Sequence, residues 1–240
     1  MGELLDDYIR HLGEKPRYIH TGLSKLDENL HLVPGNYFVI GGRPSAGKTA
    51  LSLQLAAGMA KQGKRVCYFS LETDPATLQA RLIANQLYAP LSAVKNKTLS
   101  INELDRLADM KRWPLYIRSA AGKGVAWIKA QALRMKADII FVDYLQLIHE
   151  RGSSDRYNAI TEISIALHEL AQTTGILVVA LAQLNRNAAR AEPSNADLRE
   201  SGQIEQDADA ILLLSADGDY LFQPPDQKQR GPRGQCRAGI

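Results

Sequence analysis

A mostly parallel α/β sheet with helices on both faces is the fold this sequence predicts, and three observations predict it. Six short runs of β-branched, aromatic and other apolar residues recur along the chain, and stretches with helical spacing separate them. The strand runs are apolar at nearly every position instead of alternating, as expected of parallel strands buried on both faces. A length of 240 residues suffices for one large domain of this kind with a substantial core.

The elements follow in order. "GELLDDYIRHLGEKP" reads as a short amphipathic helix, with Leu5, Tyr8, Ile9 and Leu12 on one face, Gly13 as a stop and Pro16 beyond it. The strand candidates are "YFVIG", "RVCYFS", "PLYIR", "DIIFVD", "GILVVALAQ" and "DAILLLS". Helical patterns lie around 49–61, 75–88, 101–111, 124–135 and 157–173. The last segment, "QPPDQKQRGPRGQCRAGI", has the Pro, Gly and Arg content of an extension with no core pattern, and "LFQPPDQ" carries no strand pattern. This divides the chain into a helical segment over 1–16, a domain over 17–222 and a tail over 223–240.

Composition narrows the function classes. A 45% hydrophobic, 23% charged chain is ordinary for a soluble globular protein. No apolar run reaches the roughly 18 to 20 residues that span a bilayer, and no signal peptide opens the chain, so no membrane partner is expected. Two cysteines, Cys67 and Cys236, make neither a disulfide framework nor a metal spacing, which favours a cytoplasmic setting. A net charge of +3 is too small to argue for nucleic acid by itself, so any such binding must come from local placement.

The motif with the clearest chemistry is Gly42-Arg43-Pro44-Ser45-Ala46-Gly47-Lys48-Thr49-Ala50, between a strand candidate and a helical pattern. Glycines let such a loop wrap so that backbone N–H groups point at phosphate oxygens, and the helix N-terminus adds its dipole. Lys48 brings a positive charge to the outer phosphates of a nucleotide, and the Thr49 hydroxyl suits Mg²⁺. Asp143 ends the strand "DIIFVD", where the carboxyl ends of parallel strands gather, and is the candidate second group for Mg²⁺. Taken alone, an Asp there is a turn former or helix cap; beside the phosphate loop the metal role is favoured. Glu72, after "RVCYFSL", either orients the attacking water or begins the next helix, whose Thr73-Asp74-Pro75 looks like a cap.

"GGRPSAGKTA", "FSLET", "FVDYLQLI", "ALAQLNR" and "DLRESGQIEQDAD", in this order and at these spacings, resemble the ATPase domain of DnaB-type replicative DNA helicases, from about Thr21 to about Leu214. The phosphate loop is unspecific; the last three motifs together are highly specific. The resemblance implies a RecA-like P-loop fold in a hexameric ring around single-stranded DNA, with ATP between neighbouring subunits and 5′–3′ polarity. It implies that Lys48 and Thr49 hold phosphate and Mg²⁺, that Glu72 is the catalytic carboxylate and that Asp143 is the Mg²⁺-linked acid. Gln183 becomes the sensor of the terminal phosphate. Residues 186–205 become channel loops in which Arg199, Glu200 and Gly202 contact the DNA backbone. Asp207 and Asp209 read as structural, fixing the approach to the last strand run.

Two departures from the family matter. Its helical N-terminal domain has no counterpart here, and "GELLDDYIRHLG" resembles only the linker helix that packs on the adjacent subunit, an intramolecular lid being the other reading. "KQRGPRG" resembles the segment whose Lys and Arg reach the neighbour's ATP, here Lys228 and Arg230, yet no strand is expected to present them; an inactive tail is the other reading. Primase or a helicase loader is an implied partner. A RecA-like ATP-binding module that no longer unwinds, acting as regulator or loader partner, is the alternative to the helicase motor.

Overall fold

The computed structural model describes residues 17–149, 156–184, 202–214 and 220–223, together with 5, 6 and 9. Among these residues, seven strands form one sheet in the order β3-β2-β4-β5-β1-β6-β7. They are β1 (Tyr37–Gly42), β2 (Val66–Ser70), β3 (Leu115–Ser119), β4 (Ile139–Asp143), β5 (Leu177–Gln183), β6 (Ala210–Leu214) and β7 (Tyr220–Gln223). The first six are parallel, and β7 joins the edge antiparallel to β6. The helices are α1 (Ser24–Asp27), α2 (Lys48–Lys61), α3 (Pro75–Leu87), α4 (Leu91–Lys95), α5 (Ile101–Met110), α6 (Val125–Arg134), α7 (Arg156–Thr174) and α8 (Gly202–Asp207).

Alternate strand residues separate cleanly into two cores, because successive side chains point to opposite faces. Val39, Phe69, Val142, Ala180 and Leu213 pack with α6 and α7 on one face. Phe38, Ile40, Tyr68, Phe141, Val179 and Leu212 pack with α2 and α3 on the other. Every residue of β1, β2, β4 and β6 is buried, which is why these strands read as unbroken apolar runs. The edge strand β3 is the exception: its residues are half-buried or exposed.

All six expected strands form, and so does each expected helix from 49 onward. One expectation is overturned: the sequence around "LFQPPDQ" does contain a strand, with Leu212 paired to Phe222 and Leu214 to Tyr220. Tyr220-Leu-Phe has β propensity, but only four residues precede the prolines, and the pairing partner β6 supplies the hydrogen bonds that no local pattern reveals. A second correction falls inside the expected channel loops, where Gly202–Asp207 are helical. That turn is tied down from outside: Ser164 Oγ on α7 donates to Asp207 Oδ2 at 2.7 Å, and Gln203 Nε2 donates to Asp207 Oδ1 at 2.6 Å. Asp209 then anchors β6, accepting from the Tyr37 N–H at 2.8 Å while its own N–H donates to the Tyr37 carbonyl at 2.9 Å. Of residues 1–16, only 5, 6 and 9 are described, all three helical, so the packing expected of that segment lies outside the described residues.

Candidate functional site: a phosphate loop flanked by two strand ends

The sheet order decides where the chemistry gathers. β5 lies between β1, which feeds the phosphate loop, and β4, which ends in Asp143. Gly42 pairs with Gln183, and Ser70 pairs with Asp143, so four carboxyl-terminal strand ends stand side by side. A parallel sheet binds ligands at this edge.

The loop after β1 turns through left-handed backbone at Ser45 (φ 65°) and at Gly47 (φ 90°), the residue that caps α2. Glycine meets the second requirement without steric cost. Gly42 answers a different one: a Cβ there would lie 3.1 Å from Lys48 Cγ and 3.3 Å from Leu214 Cβ, so the strand end has no room for a side chain. Arg43 and Ala46 are half-buried, while Pro44, Ser45 and Ala50 are exposed along the loop and the first turn of α2. Lys48 Nζ donates to the Gly42 carbonyl at 2.7 Å and to the Arg43 carbonyl at 2.9 Å. Burial lowers the Lys48 pKa, and the negative charges of Asp143 and Glu72 work against that shift.

Thr49 Oγ1 donates to Asp143 Oδ2 at 3.0 Å, which joins the helix start to the end of β4. Burial pushes the Asp143 carboxyl above its ordinary range, although hydrogen bonds from Tyr68 and Thr49 and the charges of Lys48 and Arg81 pull the other way. Glu72 is exposed in the short connection after β2. It is not the cap of the next helix, because Asp74 Oδ1 takes that position by accepting from the Thr77 N–H at 2.9 Å, with Pro75 in the first turn. The connection is pinned by Ser70, whose Oγ donates to the Thr73 carbonyl at 2.6 Å and accepts its N–H at 3.2 Å. Glu72 thus stands between two fixed points beside the phosphate loop.

Gln183 ends β5, and its main chain is held from both sides. Leu184 N–H donates to the Gly42 carbonyl at 3.1 Å, the same oxygen that accepts Lys48. On the other side Gln146 Nε2 donates to the Gln183 carbonyl at 3.0 Å, and Gln146 Oε1 accepts the Gln183 N–H at 3.1 Å. Both bonds use the Gln183 main chain, so the clamp does not consume its side-chain amide.

The described residues therefore bring together Gly42, Lys48, Thr49, Glu72, Asp143 and Gln183. Gly202 opens α8, which precedes β6 and packs against α7 through Asp207 and Ser164, with Ile204 in the core of that face. Arg199, Glu200, Lys228 and Arg230 lie outside the described residues. Sequence reasoning missed Ser52, Tyr68, Arg81 and Gln146. A signal for two of them was available: Tyr68 is a hydroxyl-bearing residue inside an otherwise apolar strand run, and Ser52 stands one helical turn after Thr49.

The donor set suits Mg²⁺: one carboxylate and one hydroxyl within hydrogen-bond distance, at a phosphate loop. Mg²⁺ is held by one or two carboxylates plus substrate phosphates rather than by an all-protein cage. Among the described residues no group of three or more His, Cys, Asp or Glu side chains forms such a cage, and no helix is long and apolar enough to cross a membrane.

A parallel sheet with a phosphate loop after one strand, an acid ending a second and a polar residue ending the strand between them defines a RecA-like P-loop ATPase domain. The family described as DnaB-like helicase C terminal domain matches residues 18–236, and the chain belongs to it. Among curated relatives, a probable plasmid replicative DNA helicase of Chlamydia trachomatis is 36% identical over 81% of this chain and 46% of its own length. The replicative DNA helicase DnaB of Treponema pallidum is 37% identical over 83% of this chain and 48% of its own. The chain thus spans about half the length of these relatives. A solved structure described as an ATPase domain superposes with a TM-score of 0.87 at 27% identity, over 98% of this chain and 93% of that one. A DnaB-like replicative helicase solved in a study of its interactions with primase gives 0.86 at 27% identity, over 98% of this chain and 64% of that one.

Proposed function

We propose that this chain is the ATP-driven motor domain of a replicative DNA helicase, hydrolysing ATP between subunits of a ring and moving on single-stranded DNA. The observation that carries the reading is the convergence of Lys48, Thr49, Asp143 and Gln183 at adjoining strand ends in a chain of this family. Backbone N–H groups within residues 42–50, apart from Pro44, which has none, and the N-terminus of α2 bind the phosphates, and Lys48 exchanges carbonyl partners for phosphate oxygens. Thr49 and Asp143 hold Mg²⁺, which neutralises charge developing on the phosphates when bound. Glu72 orients water for attack in line with the leaving group. Gln183 donates to the terminal phosphate and loses that bond on hydrolysis, and the chain that follows it carries Arg199, Glu200 and Gly202 to the DNA backbone. Arg199 contributes charge, and Gly202 a close main-chain approach.

Lys228 and Arg230 complete the neighbour's site in this reading. The presence of β7, which ends at Gln223 shortly before them, supports their being presented from a fixed edge. Primase or a loader is the partner this reading adds. ATPase turnover with and without single-stranded DNA, strand displacement and light scattering test it together. DNA-stimulated turnover by a ring that unwinds a forked duplex is expected. Turnover indifferent to DNA, without displacement, would instead make the chain a RecA-like module that regulates or loads.

A further inference from the structure

The carboxylate of Asp143 has a second attachment, on the opposite side of β4 from the Gln146 clamp. Tyr68 lies on β2, paired in register with Phe141 two residues before Asp143, and its ring stacks on Phe141 at 5.7 Å between centroids. Its hydroxyl donates to Asp143 Oδ2 at 2.7 Å, the same oxygen that accepts Thr49. Ser52 Oγ on α2 stands 2.8 Å from the Tyr68 hydroxyl and 3.0 Å from the Thr49 carbonyl. Ser52 and Tyr68 are fully buried and Asp143 nearly so.

Proton accounting fixes the direction of this chain. An ionised carboxylate only accepts, so Tyr68 must spend its single proton on Asp143. Ser52 is then the donor in its contact with Tyr68, sharing one proton between that oxygen and the Thr49 carbonyl. The relay runs Ser52 to Tyr68 to Asp143, and its two ends are tied to the residue that shares the carboxylate. Packing alone does not ask for it, because phenylalanine would fill the same space against Phe141 without burying a hydroxyl.

We propose that Tyr68, seated on Ser52, is a positioning residue for the Asp143 carboxylate, fixing the oxygen shared with Thr49 and hence the geometry in which these two side chains take a divalent cation with nucleotide. This rests on the reading of Thr49 and Asp143 as the cation-binding pair. Residues that orient a metal ligand from behind typically change metal affinity about 10- to 100-fold when altered. Without the Tyr68 hydroxyl, Asp143 would keep its bond from Thr49 but lose the second one that fixes the shared oxygen from the β2 side.

The test is binding of a fluorescent ATP analogue to the full chain, in EDTA and across a Mg²⁺ titration, with Tyr68→Phe and Ser52→Ala. For wild type, Mg²⁺ is expected to tighten binding. Tyr68→Phe should raise the half-saturating Mg²⁺ concentration about 10-fold or more, and leave affinity in EDTA unchanged. Ser52→Ala should shift it in the same direction by less, and adding it to Tyr68→Phe should shift it no further, since the relay is already cut. Ser52→Ala removes only one hydroxyl and carries the test should Tyr68→Phe not fold. Wild-type binding indifferent to Mg²⁺ would remove the cation reading and this inference together. A Mg²⁺-dependent wild type with unshifted variants would overturn this inference alone. So would equal losses with and without Mg²⁺, the mark of a packing role.

Discussion

At Asp143 two requirements collide: the group must be charged to hold a cation, and its burial disfavours charge. A carboxyl whose folded pKa lies above its unfolded value costs stability when ionised. The cost is fully present above the folded pKa and vanishes as pH falls below the unfolded one. Asp143→Asn should therefore raise the melting temperature of the metal-free protein at neutral pH while abolishing turnover. The gain should shrink as pH falls through the raised pKa, which scanning calorimetry over a pH series in EDTA would check; a gain that stays constant with pH would contradict it. Glu72 is a different case, an exposed carboxylate in the connection after β2. If it orients water, Glu72→Gln should bind ATP with Mg²⁺ about as wild type does, and lose a factor of roughly 10² to 10⁴ in turnover. Equal loss of binding and turnover would return it to a structural role.

Between elements, the gap that opens after β4 and β5 part is the feature to probe. Their pairing stops at Val142 and Ala180, before either strand ends. Gln146, in the short 3₁₀ turn Leu145–Leu147, supplies with one amide the donor and acceptor that a strand partner would have given Gln183. Gln146→Ala should cost about 1 to 3 kcal/mol by denaturant unfolding, from two hydrogen bonds of about 0.5–1.5 kcal/mol each. Nucleotide binding should survive and DNA stimulation of turnover should fall; an unchanged stimulation ratio would show that the clamp transmits nothing. This clamp marks where the sequence stops being legible. The buried strands and the phosphate loop could be read because their signals are contiguous: apolar runs, and nine residues between a strand and a helix. Asp143 could be read because it closes such a run. Gln146 and α8 could not, because their partners Gln183 and Ser164 come from segments distant in sequence. Ser52 and Tyr68 left only a hydroxyl in an apolar pattern, and β7 is a four-residue strand cut off by prolines. Glu72 reads two ways in the sequence, and the helix cap beside it is made by Asp74.

At the scale of the whole molecule, the proposed ring makes catalysis a property of pairs. A finger supplied by a neighbour is worth about 10³ to 10⁵ in rate, so turnover per subunit should collapse on dilution below the assembly concentration. Lys48→Ala subunits mixed with Arg230→Ala subunits should recover part of the activity that each lacks alone, through interfaces pairing an intact loop with an intact finger. Coupled-assay turnover over a dilution series and over mixing ratios would check both. Undiminished specific activity in dilute monomer would rule out the shared site.

The two strands that bracket the proposed DNA-contacting segment run in the same direction, and this has a mechanical consequence. The chain leaves β5 at Gln183, on the nucleotide edge, and must rejoin β6 at Ala210, whose start lies at the far edge because both strands are parallel to β1. A five-residue strand such as β6 covers about 17 Å at roughly 3.3 Å per residue. The far attachment is bolted: Asp209 is doubly bonded to Tyr37, and Asp207 to Ser164 and Gln203. The near attachment is held by the Gln146 clamp and by the Gly42 carbonyl, an oxygen it shares with the Lys48 ammonium. Nucleotide that draws Lys48 away would change the hold on one end while the other stays anchored. In the proposed mechanism the attachment at β5 is the one that responds to phosphate, and the attachment at β6 is the one that holds still.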